Sequence, residues 1–173
     1  MSGQRMTGAT RDPASLLRQA FAHHQAGRGV QARAFYQDVL AVQPANPDAL
    51  HLLGLIEIGD GATAAGIARI RAALAEAPGM LTAWSNLGTA LRRAGQPAEA
   101  LACFARVLDA MPDDPDALAG RGYALRDLGR MPDAIATLAR AAALRPNDGS
   151  VRAALALALQ AEHRHAEAEA ALR

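Results

Sequence analysis

The stretch "LTAWSNLGTALRRAGQPAEALACFARVLDAMPDD", residues 81–114, is followed by a second stretch of the same length and pattern, residues 115–148. Each stretch has a glycine in its fifteenth place, Gly95 in the first and Gly129 in the second, between two runs of apolar residues at helical spacing. A repeat period of 20 to 50 residues is typical of chains that stack one supersecondary unit on the next. The two stretches therefore predict two copies of a helical hairpin.

The same period of 34 residues continues on both sides of these stretches. It is kept by two sparse residue types, glycine and proline. The phased residues are Gly27, Gly61, Gly95 and Gly129, and Pro44, Pro78, Pro112 and Pro146. We expect a flexible N-terminal tail over residues 1–12 and a solenoid over residues 13–173, with units at 13–46, 47–80, 81–114 and 115–148 and an incomplete unit at 149–173.

Within each unit, residue size also follows the period. The fourth place is large, the eighth and twentieth places are small, and the twenty-fourth place is large again; unit three has Trp84, Gly88, Ala100 and Phe104 at these places. This pattern resembles the tetratricopeptide repeat family. The resemblance covers residues 13–173 and implies two antiparallel helices per unit, with the small residues at their closest approach. It implies an all-α fold, a right-handed superhelical α-solenoid of four and a half to five repeats.

Local signals support this fold independently. Asp12-Pro13, Asn46-Pro47 and Asp114-Pro115 each place a capping side chain before a proline at the first helical position, where the missing N–H costs nothing. The phased glycines suit the left-handed residue that ends a helix. Unit two departs from the pattern, because Glu57 stands where units three to five have leucine and because the unit contains Gly59, Gly61 and Gly66. These departures predict that unit two is the loosest.

The composition excludes several classes of protein. With 51% hydrophobic residues and a net charge of +1, the chain is expected to be soluble rather than disordered. Aromatic residues at 3% and so small a net charge argue against nucleic-acid binding. The longest apolar runs are too short to cross a bilayer, which excludes membrane insertion. The N-terminal residues lack a secretory signal, which predicts a cytoplasmic protein, and arginine without lysine indicates a GC-rich bacterial genome.

Catalytic, metal and cofactor sites are not predicted. Trp84 and Cys103 occupy packing places. The neighbouring pairs His23-His24 and His163-x-His165 do not put two ligands on one helical face as an i, i+4 spacing would. No phosphate-binding glycine loop or nucleophile motif is present in the sequence. We therefore expect no enzyme activity, no metal and no cofactor.

The resemblance implies a concave groove lined by the first helix of every unit. Residues at i, i+4 and i+7 of each first helix form one stripe, and Asn86 adds an amide of the kind that holds a peptide backbone in this family. The groove should be apolar at its N-terminal end and polar with two arginines in the middle. The predicted peptide-binding residues are Phe21, His51, Leu55, Ile58, Ser85, Asn86, Thr89, Arg92, Tyr123 and Arg126. A solvated helix face is the alternative interpretation of the arginines.

These features favour a non-catalytic scaffold that binds a protein or peptide segment, apolar at one end and acidic at the other. The alternative is an N-terminal docking or regulatory module of a larger bacterial enzyme, because the first units resemble those that precede glycosyltransferase and sulfotransferase domains. The apolar pattern also continues to Leu172. The C-terminal edge is therefore a candidate for self-association.

Overall fold

The computed structural model describes residues 12–172, and every regular element in this range is an α-helix. The predicted all-α repeat fold is confirmed. The helices are α1 Pro13–Gln25, α2 Gly29–Val42, α3 Pro47–Gly59, α4 Thr63–Glu76, α5 Leu81–Arg93, α6 Pro97–Ala110, α7 Pro115–Asp127, α8 Met131–Leu144, α9 Gly149–Ala161 and α10 His165–Leu172. The predicted tail lies almost entirely outside the described residues.

The first helix of each hairpin begins where a side chain can satisfy its first N–H groups. Asp12 accepts from the amides of Ala14 and Ser15, and the Oδ1 atoms of Asn46 and Asp114 accept from the third residue beyond at 2.9 and 2.7 Å. These are the capping residues predicted from the sequence. They set the start of α1, α3 and α7.

The turn within each hairpin depends on a left-handed residue. Gly27, Gly61, Gly95 and Gly129 have φ values of 69°, 88°, 77° and 72°, in the region that glycine adopts without a steric cost. In the last hairpin His163 takes this place with φ 58°. The last hairpin therefore keeps the left-handed turn even though histidine replaces glycine there.

The described chain divides into two compact units, an N-terminal unit containing α1–α4 (residues 12–76) and a C-terminal unit containing α5–α10 (residues 77–172). The core of the N-terminal unit is built around Tyr36, Leu16 and Leu53. A large cluster in the C-terminal unit joins α7, α8 and α9, with Leu138 and Ala158 fully buried. Each core is thus made mostly of aliphatic side chains.

Small residues allow the helices to approach within both units. A Cβ atom at Gly66 would collide with the carbonyl oxygen of Gly54, so α3 and α4 touch backbone to backbone. In the C-terminal unit the ring of Phe104 packs against Gly88 on α5 and Gly120 on α7, and a Cβ atom at Gly88 would be 2.9 Å from it. The predicted role of the small eighth and large twenty-fourth residues is confirmed.

Glu57 has an ion-pair partner on the facing helix, which the sequence analysis did not identify. Its carboxylate accepts two hydrogen bonds from Nε of Arg69, at 3.0 and 2.9 Å, and Nη2 of Arg69 lies 2.8 Å from Oε1. A half-buried carboxylate with a guanidinium partner on the facing helix links α3 to α4. Glu57 is therefore a paired residue of this hairpin, and the looseness of unit two stays a prediction.

The two rare residues of unit three are packing residues. Trp84 is half-buried; its Nε1 donates to the carbonyl oxygen of Pro78 at 2.8 Å, and the guanidinium of Arg106 lies 5.8 Å from the ring centroid. Cys103 is buried beside Gly88. In residues 12–172 no helix is both long enough and apolar enough to span a membrane.

Candidate peptide-binding groove

A cleft of about 500 Å³ crosses the C-terminal unit, and we call it the α5–α7–α9 cleft. Its walls come from the first helix of three successive hairpins, because these helices start at residues 34 apart and repeat the same face. The small residues Ala119 and Gly120 lie between the polar walls. A surface of this kind can receive an extended segment and contact it through many polar groups.

Five of the predicted site residues line this cleft, namely Ser85, Asn86, Thr89, Arg92 and Tyr123. The hydroxyl of Thr89 donates to the carbonyl oxygen of Ser85 on its own helix at 3.1 Å, which fixes that side chain. Arg126 does not line the cleft itself but lies next to Tyr123. The i, i+4, i+7 stripe on α5 thus identified one wall of the cleft.

The two predicted arginines share one aromatic ring and one carboxylate. The guanidinium carbons of Arg92 and Arg126 lie 5.4 and 5.9 Å from the centroid of Tyr123, within the range of cation–π attraction. Nη1 of Arg92 donates to Oδ2 of Asp127 at 2.9 Å, and Nη2 of Arg126 donates to Oδ1 at 3.5 Å. The arginines are therefore not simply solvated, because they form a cluster with Tyr123 and Asp127.

Asp127 was missed by the sequence analysis. It follows Arg126 directly and stands 35 residues after Arg92, one more than the repeat period. From α7 its carboxylate therefore reaches Arg92 on α5, in the preceding repeat. The side chains of Arg92, Arg126 and Asp127 are 24%, 30% and 28% exposed. A search for acids one residue beyond the period would have found this pairing.

Two acids also line the cleft, and the sequence analysis missed both. Asp116 and Asp148 line it together with Ser150. Asp148 accepts from the hydroxyl of Ser150 at 2.6 Å and from the amides of Ser150 and Val151. The hydrogen bond from the Ser150 hydroxyl, followed by that from the Val151 amide, lowers the pKa of Asp148. The cleft is therefore lined by charged side chains of both signs.

Asp116 forms an ion pair with Arg145, which does not line the cleft. Nη1 and Nη2 of Arg145 donate to its two carboxylate oxygens at 2.5 and 2.8 Å, and this hydrogen bonding is the main cause of a raised pKa of Arg145. The sequence analysis assigned no role to Asp116 or Asp148. The structure shows that both acids line the cleft.

The remaining predicted residues belong to the N-terminal unit. Phe21 is 41% exposed and lies beside Leu17 and Arg18 on the outer side of α1, while Leu55 and Ile58 are half-buried. His51 is only 6% exposed. It packs inside the unit, so the prediction that it contacts a ligand on the surface is not supported.

Burial of His51 has an electrostatic consequence. Burial lowers the pKa of this histidine, Asp48 opposes the change, and the nearby His24 adds to it. His24 also approaches the Tyr36 hydroxyl, with 3.4 Å between Nδ1 and the oxygen. Burial and the charge of Asp48 raise the pKa of Tyr36 to about 12. Among residues 12–172, no three His, Cys, Asp or Glu side chains are grouped so that they could hold a metal ion.

The repeat is also recognised by comparison with known proteins. Residues 85–149 match the family model described as Tetratricopeptide repeat. This part of the chain has the tetratricopeptide repeat pattern. These residues include most of the α5–α7–α9 cleft, so the cleft is built on the part of the chain with the clearest repeat signal.

Solved structures of MamA share this tetratricopeptide repeat architecture. The MamA structure from Desulfovibrio magneticus RS-1 has a TM-score of 0.85 at 20% identity, over 94% of this chain and 93% of that chain. The MamA structure labelled AMB-1 has a TM-score of 0.81 at 28% identity, over 90% and 92%. The one labelled MSR-1 has a TM-score of 0.80 at 25% identity, over 92% of both chains. These similarities establish the fold.

A curated relative is the Beta-barrel assembly-enhancing protease of Yersinia pestis, which is 35% identical over 98 residues. The match includes 57% of this chain but only 20% of the protease. The chain therefore spans about a fifth of the curated relative that it matches. Taken together, the repeat match and the MamA similarities support a binding module built on a repeat scaffold.

Proposed function

We propose that this tetratricopeptide repeat chain is a non-catalytic scaffold that binds an extended protein segment in the α5–α7–α9 cleft. The observation that carries the proposal is the cluster of Arg92, Arg126 and Tyr123 at a cleft that Asn86 also lines. Guanidinium groups and an amide are the donors that hold carboxylates and peptide backbones. No covalent chemistry is needed for this role.

The arginine side of the cleft favours an acidic ligand. A carboxylate that replaces water around Arg92 or Arg126 would accept charge-assisted hydrogen bonds, each worth about 1.5 to 3 kcal/mol when shielded and much less in open solvent. The ring of Tyr123 holds both guanidiniums near one place and lowers their freedom to rotate. Such positioned donors cost less entropy on binding than mobile surface arginines.

The N-terminal unit offers a separate contact of different chemistry. Leu17 and Phe21 on α1 form an apolar surface flanked by Arg18 and Gln25. We propose that this surface contacts hydrophobic side chains of a partner, at about 25 cal/mol per Å² of buried apolar area before ordering costs. Leu55 and Ile58 remain proposed contacts of the same kind.

A second candidate is a docking or regulatory module associated with a larger enzyme. The observation that favours it is the curated protease, which is five times as long as the part that matches this chain. The predicted relation to glycosyltransferases or sulfotransferases stays a prediction. The cytoplasmic location, the bacterial origin and self-association through the edge near Leu172 also stay predictions.

A photo-crosslinking amino acid placed at Thr89, which lines the cleft, tests the leading proposal. In lysate of the source cell it should capture a discrete partner, and mass spectrometry should locate the crosslink in an extended, acid-containing segment of that partner. The capture should be lost when Arg92→Ala is added.

The matched control places the same amino acid at Thr137, a half-buried threonine on α8 that does not line the cleft. Its hydroxyl donates to a carbonyl oxygen of its own helix, as that of Thr89 does. Capture of the same partner from both positions, or none from Thr89, would show that the α5–α7–α9 cleft is not the binding site.

A further inference from the structure

We propose that Asp127 is an internal competitor of the ligand, which occupies the arginine site until a carboxylate of the bound segment displaces it. The inference rests on the proposed function and deepens it, because it names the group that the ligand must replace. Its ligand is a carboxylate on an extended segment. The evidence lies in how Asp127 is held.

The carboxylate of Asp127 uses little of the donor capacity around it. It accepts one hydrogen bond from Arg92 at 2.9 Å and a longer one from Arg126 at 3.5 Å. A guanidinium has five N–H donors and can hold a carboxylate bidentately. Two guanidiniums facing one carboxylate therefore leave one positive charge in excess and donors for an incoming acid.

Its position on the helix also argues that the arginines alone stabilise this charge. Asp127 is the last residue of α7, at the end of the helix dipole where a negative charge is unfavourable. The corresponding last residues of α3 and α5 are Gly59 and Arg93. A negative charge at this place does not stabilise the helix, and its recorded hydrogen bonds are with Arg92, which lines the cleft, and with the neighbouring Arg126.

The exposure of the cluster is compatible with exchange. The side chains of Arg92, Arg126 and Asp127 are each about a quarter to a third exposed, so water and a ligand can reach them. Ion pairs at this exposure are worth little. A ligand carboxylate that brings further backbone contacts in the cleft can therefore displace Asp127 at small cost.

The test is isothermal titration of the full chain with an acetylated hexaglutamate peptide, with hexaglutamine as the neutral control. Asp127→Asn keeps the shape of the side chain but removes its charge, and it should bind hexaglutamate roughly fivefold more tightly than wild type, which is the upper range for an ion pair of this exposure. Adding Arg92→Ala to Asp127→Asn should abolish this gain.

The matched control is Asp133→Asn, which makes the same change in net charge. It removes the exposed pair with Arg130, in which Nη2 lies 2.6 Å from the carboxylate, and it does not line the cleft. Affinity of this variant should stay within twofold of wild type. An equal gain in both variants would overturn the proposal, because it would show an effect of net charge alone.

Two further outcomes separate this inference from the proposed function. If wild type binds hexaglutamate, Arg92→Ala weakens binding, and Asp127→Asn binds no more tightly than wild type, the competitor role is wrong while the acidic-ligand site stands. If neither wild type nor Asp127→Asn binds hexaglutamate, the arginine site for carboxylates and the competitor role are both wrong. The crosslinking experiment at Thr89 then decides whether the rest of the cleft binds a partner.

Discussion

Gly66 is the residue at which the helices of the N-terminal unit come closest. A Cβ atom there would collide with the carbonyl oxygen of Gly54 and would lie 2.6 Å from Cγ1 of Ile58. Backbone atoms cannot move aside as a flexible side chain can. Gly66→Ala should therefore lower the free energy of unfolding by about 1 to 3 kcal/mol, as measured by urea denaturation.

Gly59 in the same hairpin is the control for this prediction. An added Cβ atom at Gly59 meets nothing within 4 Å, so Gly59→Ala should be neutral or stabilising by up to about 1 kcal/mol. Equal stability of the two variants would contradict the close backbone contact between α3 and α4.

Residue-scale features were predicted from the sequence where one residue type has one physical role. The phased glycines with positive φ and the capping residues Asp12, Asn46 and Asp114 are of this kind. The partner of Glu57 was not predictable in this way. Arg69 is 12 residues away on the facing helix, and a charge on a buried face indicates that a partner is needed without saying which residue supplies it.

At the scale of elements, α3 carries a buried histidine whose charge is linked to stability. Because burial lowers the pKa of His51 below its ordinary value of 6.5, the unfolded chain takes up a proton at this residue before the folded chain does. Stability from His51 is fully present above about pH 6.5 and is lost as pH falls toward the folded pKa. Asp48, which faces His51, limits this loss.

We expect wild type to lose more stability between pH 7.5 and pH 5.5 than His51→Gln, as measured by thermal unfolding. Hydrogen exchange of the α3 amides should localise the loss to the N-terminal unit. His165→Gln is the control, because His165 is exposed at the start of α10, and its pH dependence should match wild type. Identical pH dependence of His51→Gln and wild type would refute the linkage.

The elements that form the cleft were only partly predictable. The stripe rule found Ser85, Thr89 and Arg92, since these side chains share one face of α5. It missed Asp116 and Asp148, which lie at or just before the start of α7 and α9. An acid at that position already has a sufficient role as a cap or dipole partner, so the sequence contains no separate signal for its second role in the cleft.

At the scale of the whole molecule, the repeat determines what kind of function is available. Within the C-terminal unit, the first helix of each hairpin contributes to one cleft, so neighbouring repeats place residues of equal register side by side. In the C-terminal unit this brings Arg92 and Arg126 to the same aromatic ring. The identity of the partner depends on such side chains rather than on the repeat, and for this reason the fold was predicted more completely than the ligand.

The central claim is that the α5–α7–α9 cleft binds its partner through the arginines. The most direct test identifies the partner segment by crosslinking at Thr89 and then measures the affinity of the chain for that segment at 50 and 300 mM salt. Arg92→Ala should weaken binding about tenfold and flatten the salt dependence, because a charge-assisted contact is removed. Arg106→Ala also removes one positive charge, but beside Trp84 and away from the cleft. It should leave the affinity and its salt dependence nearly unchanged. Equal effects of the two substitutions, or unchanged affinity in Arg92→Ala, would contradict the account.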